Sequence, residues 1–275
     1  MDENSVGRVV RIWRYPIKSM LGEEIDGTVV TERGVLGDRG YALFDPETQK
    51  VASAKDPRRW PDMFRFRAEY VRSPSESNSL PPVKVALPSG ELVTSDDSDA
   101  ESRIAAAMGR TVRLLRNPFS EATAEGYWPD HEWIEARNTS FEYQFPEGTF
   151  FDGSMVHVIS TTTLEHLSNL YSGSIFAPQR FRANLLIQPT DGATGFVENE
   201  WIGKSLVIGT ARLKIERPCP RCVMTTLAQS DLPKDPTILR AAVRENSGNV
   251  GVYAKVEAVG EVRTGDVVRL VACMT

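Results

Sequence analysis

The sequence predicts a mainly β fold with a few helices (α+β), organised in two parts. Short runs rich in β-branched and aromatic residues recur along the chain and are bounded by glycine and proline. Residues 252–258 alternate apolar and polar side chains, which is typical of a half-buried strand. Helical periodicity is confined to three segments, and no internal repeat is present. These patterns favour sheets over helical layers.

The first part, residues 1–118, contains most of the shorter strand segments. A strand over 7–15 is rich in Val, Ile, Trp and Tyr and ends at Pro16. The spacing predicts a helix over 96–108, with acidic residues in its opening turn and Gly109 at its end. The remaining predicted elements are a hairpin tip at 87–92 and strands at 28–31, 41–44, 51–53, 64–71 and 113–116.

Residues 117–152 differ in character from the segments on either side. Pro118, Pro129 and Pro146 interrupt a polar and aromatic stretch with weak periodicity. A segment of this kind is either a linker or a long loop that covers a site. We therefore expect the boundary between the two parts at 118/119. The aromatic residues of this segment are candidates for a pocket rim: Trp128, His131 and Trp133.

The second part, residues 119–275, opens with an apolar strand over 155–159 that runs directly into Ser160 and Thr161. Thr162 and Glu165 have the spacing of a capping box at the start of an amphipathic helix. A second helix is expected over 237–245. Further strands are predicted at 182–188, 206–208, 213–215, 223–227, 252–258 and 267–271.

Composition and charge exclude several classes of protein. Of the 275 residues, 41% are hydrophobic and 25% charged, as in ordinary globular proteins. The net charge is −5, whereas proteins that bind nucleic acid through their overall charge are basic. No apolar run reaches the roughly 18 residues of a membrane span. The acidic start of the chain is unlike a signal peptide, and three cysteines do not suggest a disulfide framework. We therefore expect a cytoplasmic protein that binds neither nucleic acid nor membrane.

A cationic loop near the C-terminal end carries two of the three cysteines. Residues 217–222 read RPCPRC, so Cys219 and Cys222 are flanked by Arg217 and Arg221 and stiffened by prolines. A structural zinc site would need two more ligands at matched spacing, and a thioredoxin-like dithiol would open a helix. Two alternatives remain open. The cysteines are buried thiols that behave as small apolar residues, or the arginines favour a thiolate that is a soft metal ligand or nucleophile.

Other cations and donors lie at strand ends and turns that are far apart in sequence. Lys18, Arg39 and Arg221 each neighbour Gly, Ser or Pro, Arg182 lies at a predicted strand end, and each of the four alone is more typical of a solvated surface charge. Ser160 and Thr161 stand at a helix N-terminus, which suits a phosphate but equally an ordinary N-cap. No catalytic-triad spacing, phosphate-binding loop or dinucleotide fingerprint occurs, and His157 is expected to be a core residue. The residues alone thus predict an anion-binding β protein with a candidate reactive thiolate.

Several of these segments, taken in order, resemble one known family over some 240 residues. The run YPIKS at 15–19 and GDR at 37–39 resemble the N-terminal β-barrel domain that precedes MOSC domains. The runs FRAN at 181–184, RPCPRC at 217–222 and GVY at 251–253 resemble the MOSC domain, itself a β-barrel. The two-domain arrangement is similar to that of the mitochondrial amidoxime-reducing component and its bacterial relatives.

The resemblance implies a molybdenum–molybdopterin cofactor between the two domains. Cys222 would be the metal ligand and the catalytic residue. Lys18, Ser19 and Arg39 match positions that contact the cofactor from the N-terminal domain. Matches on the MOSC side are Arg182, Asn184 and Arg221, with Ser160, Thr161 and Tyr253 as further cofactor-binding positions. The resemblance also carries a family-level association with pyridoxal phosphate.

The implied activity is that of an oxidoreductase that reduces small N-hydroxylated substrates by oxygen transfer to a cysteine-ligated molybdenum centre. This chain has no cysteine-rich ferredoxin-like domain, so we expect a separate electron-donor protein. The alternative is a cysteine-based sulfur or molybdenum-cofactor carrier module without redox catalysis of its own. An enzyme would cover the thiol in a pocket, whereas a carrier would expose it.

Overall fold

The computed structural model describes residues 4–76, 79–116, 121–190 and 192–272. Its helices are α1 (Ala100–Met108), α2 (Thr161–Leu170), α3 (Pro178–Phe181) and α4 (Thr237–Asn246). Its strands are β1 (Ser5–Arg14), β2 (Glu23–Ile25), β3 (Gly27–Thr31), β4 (Gly34–Val35), β5 (Ala42–Asp45), β6 (Lys50–Val51), β7 (Arg67–Tyr70), β8 (Val83–Ala86), β9 (Leu92–Thr94), β10 (Arg113–Leu115), β11 (Thr123–Trp128), β12 (Thr139–Gln144), β13 (Val156–Ser160), β14 (Leu185–Pro189), β15 (Ser205–Ile208), β16 (Ala211–Pro220), β17 (Asn249–Ala258), β18 (Gly260–Arg263) and β19 (Val267–Val271). The predicted class, mainly β with a few helices, is confirmed.

Seven strands form a closed barrel in the order β14-β13-β17-β16-β15-β19-β1, and β1 pairs with β14 to complete it. Strands β13 and β14 run parallel, and helices α2 and α3 make the crossover that parallel neighbours require. Closure removes both free edges of the sheet. The first strand of the chain is therefore part of a barrel whose other strands all come from residues 156–271.

Smaller sheets make up most of the first part of the chain. A five-stranded sheet has the order β10-β5-β6-β11-β12, and two three-stranded sheets have the orders β18-β3-β4 and β7-β8-β9. The predicted division at 118/119 falls within 117–120, outside the described residues, and stays a prediction. Among the described residues, strand pairing crosses that division in three sheets, because β1 joins the C-terminal barrel, β11 joins β6, and β18 joins β3.

Apolar side chains gather into separate cores. One fills the barrel and includes Val9 and Ile12 of β1 beside Val158, Ile187 and Ile215. A second lies in the N-terminal sheets and includes Met20, Met63 and Phe66. Met224, which belongs to the C-terminal part of the chain, also packs in this second core. The segment that follows Cys222 is thereby anchored in the opposite part of the molecule.

Three local predictions differ from the structure. Residues 121–145 are not a loop: β11 and β12 form an antiparallel hairpin, because aromatic side chains alternate along β12. Val223–Thr226 is a 3₁₀ turn rather than a strand, since Thr225 and Thr226 donate side-chain hydrogen bonds to nearby carbonyls in place of a sheet ladder. The N-cap of α2 is Ser160, whose Oγ accepts from the N–H of Thr163, and not Thr162.

Candidate functional site

One cavity of about 240 Å³ brings together six of the ten predicted site residues. It lies where the ends of β16 and β17 meet β13, the residue after α3, the turn before β5, and the β11–β12 hairpin. Its wall is formed by Arg39, Lys55, Trp128, Phe141, Phe151, Asp152, Gly153, Ser154, His157, Phe181, Arg182, Asn184, Arg217, Pro220, Arg221, Cys222, Met224 and Tyr253.

The two cysteines of the RPCPRC loop occupy different environments. Cys219 is fully buried near the end of β16, and its sulfur accepts a hydrogen bond of 2.6 Å from Nη1 of Arg221. Cys222 follows the end of the strand, is half-buried, and lines the cavity. Of this pair, only Cys222 therefore lines the cavity, whereas the Cys219 sulfur accepts a hydrogen bond from a guanidinium. Cys273 lies outside the described residues.

Two arginines of the cavity wall hold buried N–H donors for which the described residues offer no acceptor. Arg182 donates from Nη1 to the carbonyl of Met20 at 2.5 Å, but its Nη2 has no partner among the described residues. Arg221 donates from Nη2 to the carbonyl of Phe181 at 2.8 Å, and its Nε is likewise unpaired. Buried polar groups are normally satisfied, so these donors indicate an acceptor that is not part of the chain.

Burial makes an anion at this place favourable. Desolvation, followed by the charge of Arg39, lowers the pKa of Arg182 to about 10. A negatively charged group beside the guanidinium would offset that cost. Five cationic side chains line the cavity against one carboxylate, that of Asp152, although the whole chain carries a net charge of −5. The cavity is thus a cationic site on an acidic protein.

Asp38 fixes the geometry of Arg39 and Asn184. One oxygen of Asp38 accepts the N–H of Tyr15 at 2.7 Å, and the other accepts Nδ2 of Asn184 at 3.0 Å and pairs with Arg39. The Asn184 Oδ1 accepts the N–H of His157 at 3.1 Å. The oxygen and the nitrogen of the Asn184 amide are thus both hydrogen-bonded to other residues of the protein. The role of Asn184 in the site is to hold the N-terminal turn against the barrel.

Three of the predicted site residues adopt the left-handed backbone conformation, which residues other than glycine rarely adopt. The φ angles are +63° for Ser19, +51° for Arg39 and +53° for Arg182. Such conformations cost on the order of 1–3 kcal/mol each and persist where the surrounding structure enforces them, often at functional sites. Arg182 ends α3 in this conformation, which turns its guanidinium towards the cavity and the N-terminal part.

A half-buried carboxylate that sequence reasoning missed links two lysines at the cavity wall. Oδ1 of Asp152 lies 2.6 Å from Nζ of Lys18 and 3.2 Å from Nζ of Lys55. Despite burial, these charges hold the pKa of Asp152 well below its usual range. Burial in turn lowers the pKa of Lys18 to about 8. The only sequence signal was a turn, DGS at 152–154, directly before an apolar strand.

His157 and Tyr253 are two uncharged polar residues of the cavity wall. Burial, and then the charge of Arg221, lower the pKa of His157 to about 3, and its Nε2 lies 3.1 Å from the carbonyl of Val250. Burial, with the neighbouring Cys219 sulfur, raises the pKa of Tyr253 well above its usual value. At neutral pH the imidazole is therefore neutral and the phenol keeps its proton.

Four predicted site residues do not line the cavity. Lys18 is 2% exposed and lies behind Asp152, and Ser19 accepts the N–H of Ala54 through Oγ. Ser160 and Thr161 stand at the start of α2, where the Ser160 hydroxyl donates to the buried carboxylate of Glu198 at 2.5 Å. Of the predicted rim, Trp128 lines the cavity, whereas His131 and Trp133 stack on each other outside its wall.

The donor set fits a metal held by one protein thiolate together with an anionic cofactor. A thiolate is a soft ligand for a transition metal, and unpaired guanidinium donors suit phosphate or pterin oxygens. Within the described ranges, no group of three or more His, Cys, Asp or Glu side chains could hold a metal by itself. A metal at Cys222 would need its other ligands from a cofactor. In the same ranges no helix is long and apolar enough to cross a membrane.

Comparison with known families gives two matches along the chain. The model described as MOSC N-terminal beta barrel domain matches residues 6–110, and the model described as MOSC domain matches residues 146–269. Neither model covers residues 111–145, which include the β11–β12 hairpin.

Similar curated proteins share less than a quarter of their residues with this chain. Mitochondrial amidoxime reducing component 2 of Rattus norvegicus is 24% identical over 95% of this chain and 82% of its own length. The protein of that name from Homo sapiens is 23% identical over the same shares. Mitochondrial amidoxime-reducing component 1 of Mus musculus is 24% identical over 81% of this chain and 66% of its own.

The solved structures that are similar to this chain have low sequence identity to it and TM-scores below 0.5. The YUAD protein from Bacillus subtilis covers 98% of this chain and 97% of its own, with 14% identity and a TM-score of 0.48. YiiM from Geobacillus stearothermophilus covers 43% of this chain and 54% of its own, with 21% identity and a TM-score of 0.33.

Proposed function

This chain belongs to the MOSC domain proteins that carry a MOSC N-terminal beta barrel domain, and from that premise we propose that it is a molybdenum-cofactor-dependent reductase of N-hydroxylated compounds. The names of its relatives, amidoxime reducing components, support the reaction class. The observation that carries the proposal is the placement of the Cys222 thiol in one cavity with the unpaired donors of Arg182 and Arg221.

Four residues of the cavity would hold such a cofactor. Cys222 would ligate the metal, and metal binding would favour the thiolate form of its side chain. Arg182 and Arg221 would donate their free N–H groups to anionic oxygens, and Arg39 would add a third charge from the N-terminal part. When bound, the cofactor supplies the two-electron oxygen-transfer chemistry, while the protein supplies binding and orientation.

Proton positions in the cavity follow from the pKa directions. Asp152 has a pKa well below its usual range, so it stays ionised and accepts hydrogen bonds. Tyr253 has a raised pKa and keeps a phenolic proton that it can donate to an oxygen or nitrogen of the substrate. His157, with a pKa of about 3 and a contact to the carbonyl of Val250, is a neutral wall residue. Tyr253 is therefore the candidate hydrogen-bond donor to the substrate.

The proposal includes a separate protein that delivers electrons to the site. The sequence contains three cysteines, one fewer than the four thiolates of a Cys₄ iron–sulfur cluster. Two of the three already belong to the cavity loop. A separate electron donor in the cytoplasm is accordingly part of the proposed function.

The test uses protein made in a host that synthesises the cofactor. Holoprotein with a reducing dye is expected to convert benzamidoxime to benzamidine. The variant Cys222→Ser should lose the activity, whereas Cys219→Ser keeps an acceptor for Arg221 and should retain it. Failure of fully metal-loaded wild type on amidoximes, hydroxylaminopurines and other N-hydroxylated compounds would refute the reaction.

A further inference from the structure

Two aromatic rings stand in the wall of the cavity that also holds Cys222. Trp128 of β11 and Phe141 of β12 are half-buried, with ring centroids 5.4 Å apart and ring planes inclined at 33°. Five of the other side chains of the wall are cations, and these two rings are the contribution of the hairpin to the wall. Binding of an anionic group explains the cationic residues of the wall, but it does not explain the two aromatic rings.

The hairpin is built to hold this aromatic surface in place. Phe141 lies opposite Gly126 in the strand register, and a Cβ atom at Gly126 would stand 2.2 Å from the Phe141 ring. The ring therefore lies against the bare backbone of its partner strand. Ring contacts continue from Phe141 to Tyr143 at 6.0 Å and from Tyr143 to Phe145 at 5.4 Å, which anchors the surface in a buried residue.

The aromatic surface belongs to the part of the chain that neither family model covers. Cys222, Arg39, Arg182 and Arg221 all lie within the matched ranges, but Trp128 and Phe141 lie in 111–145. The matched residues explain what is common to the family. An element that lines the same cavity outside those ranges is suited to select the substrate.

We infer that Trp128 and Phe141 form a subsite that binds the planar aromatic portion of the substrate. The inference rests on the proposed function and narrows its substrate class to aryl or heteroaryl N-hydroxylated compounds. Flat rings stack favourably on indole and phenyl faces, whereas small alkyl groups gain little from such contact. The cations of the wall disfavour a positively charged ring substituent, so neutral and anionic arenes are the expected substrates.

The test compares benzamidoxime with acetamidoxime in the holoenzyme. Trp128→Ala should lower kcat/KM for benzamidoxime by about tenfold, mainly through KM, and that for acetamidoxime by less than about twofold. Trp128→Phe keeps a ring and should restore most of the loss. Tyr127→Ala is the matched control, because Tyr127 is the neighbouring aromatic residue on the opposite face and contacts Arg58 and Asn138 instead of the cavity.

Binding without turnover separates this inference from the proposed function. Calorimetry of oxidised holoenzyme without an electron donor should show benzamidoxime binding about tenfold more weakly to Trp128→Ala than to wild type. That result in a protein that reduces nothing would support the aromatic subsite and refute the reaction. Equal losses for both amidoximes, the same loss in Tyr127→Ala, or unchanged binding in Trp128→Ala would overturn the subsite.

Discussion

Asp152 is the counter-ion of two lysines, and its removal should be more harmful than removal of either lysine. Asp152→Asn leaves Lys18, which is 2% exposed, without a negative partner, and an unpaired buried charge costs up to about 3–5 kcal/mol. Lys18→Met should cost less, because Asp152 keeps Lys55 at 3.2 Å and a thioether would take the place of the ammonium, which lies 4.6 Å from the centre of the Phe145 ring. Urea denaturation measures both variants; equal losses would show that the pair is not coupled in this way.

His157 should make the protein sensitive to mild acid. Its pKa is about 3 in the folded protein and 6.5 when unperturbed, so the unfolded chain takes up this proton first. The free energy of unfolding should therefore fall as pH drops from 6.5 towards 3, by about 1.4 kcal/mol per pH unit from this residue.

The variant His157→Gln isolates this contribution, since it removes the titration but keeps a donor for the carbonyl of Val250. Denaturation curves at several pH values should show wild type losing stability more steeply than the variant below pH 6.5. Parallel pH profiles would mean that the imidazole is not held neutral by burial.

At the residue scale, the sequence assigned a role to a residue only where that residue belonged to a recognisable motif. Arg39, Arg182, Arg221 and Cys222 were predicted from motifs and do share one cavity. Chemistry alone left the two cysteines of the loop equivalent, because only folding buries Cys219 against Arg221 and turns Cys222 to the cavity. Asp152 and Lys55 were missed because a carboxylate and a lysine 97 positions apart carry no spacing signal, as the numbering shows.

Closure of the barrel by β1 depends on a close approach at Gly7. A Cβ atom there would lie 2.3 Å from the backbone oxygen of Gln188 and 2.9 Å from Cα of Pro189, neither of which can rotate away. Gly7→Ala should therefore destabilise the protein by about 1–3 kcal/mol, the usual cost of overpacking. Thermal or chemical unfolding measures the loss.

Gly173→Ala is the matched control, because a Cβ atom at Gly173 meets nothing within 4 Å and its φ is not positive. This control should stay within about 0.5 kcal/mol of wild type. A Gly7→Ala variant as stable as the control would mean that β1 can move away from β14 without loss.

Elements with strong periodicity were predicted well, and the β11–β12 hairpin was not. Alternation over 252–258 and the apolar run at 155–159 became β17 and β13. The hairpin was expected as a linker or loop because prolines interrupt a polar and aromatic stretch with weak periodicity. Gly126 reduces strand propensity on its own, and only pairing with Phe141 explains its place. That pairing depends on a partner strand 15 residues away, as the register shows.

For the whole molecule, the order of family motifs predicted the mainly β architecture in two parts, but it did not predict the strand pairing between those parts. The first strand was expected to belong to the N-terminal part, whereas it pairs with β14 and β19 to close the C-terminal barrel. Such pairing joins chain segments more than 170 residues apart, as Gly7 opposite Pro189 shows. The cavity inherits this arrangement, with Arg39 and Lys55 from one side and Arg182, Arg221 and Cys222 from the other. A cofactor in the cavity would contact both parts at once.

The most direct test of this account is the molybdenum and pterin content per chain of protein made in a cofactor-producing host. Wild type and Cys219→Ser should each carry close to one metal and one pterin, and Cys222→Ser should carry no metal. The two variants differ only in which thiol of the pair is lost, and Cys222 is the one that lines the cavity. Well-folded wild type without molybdenum, or a Cys222→Ser variant that retains it, would contradict the account.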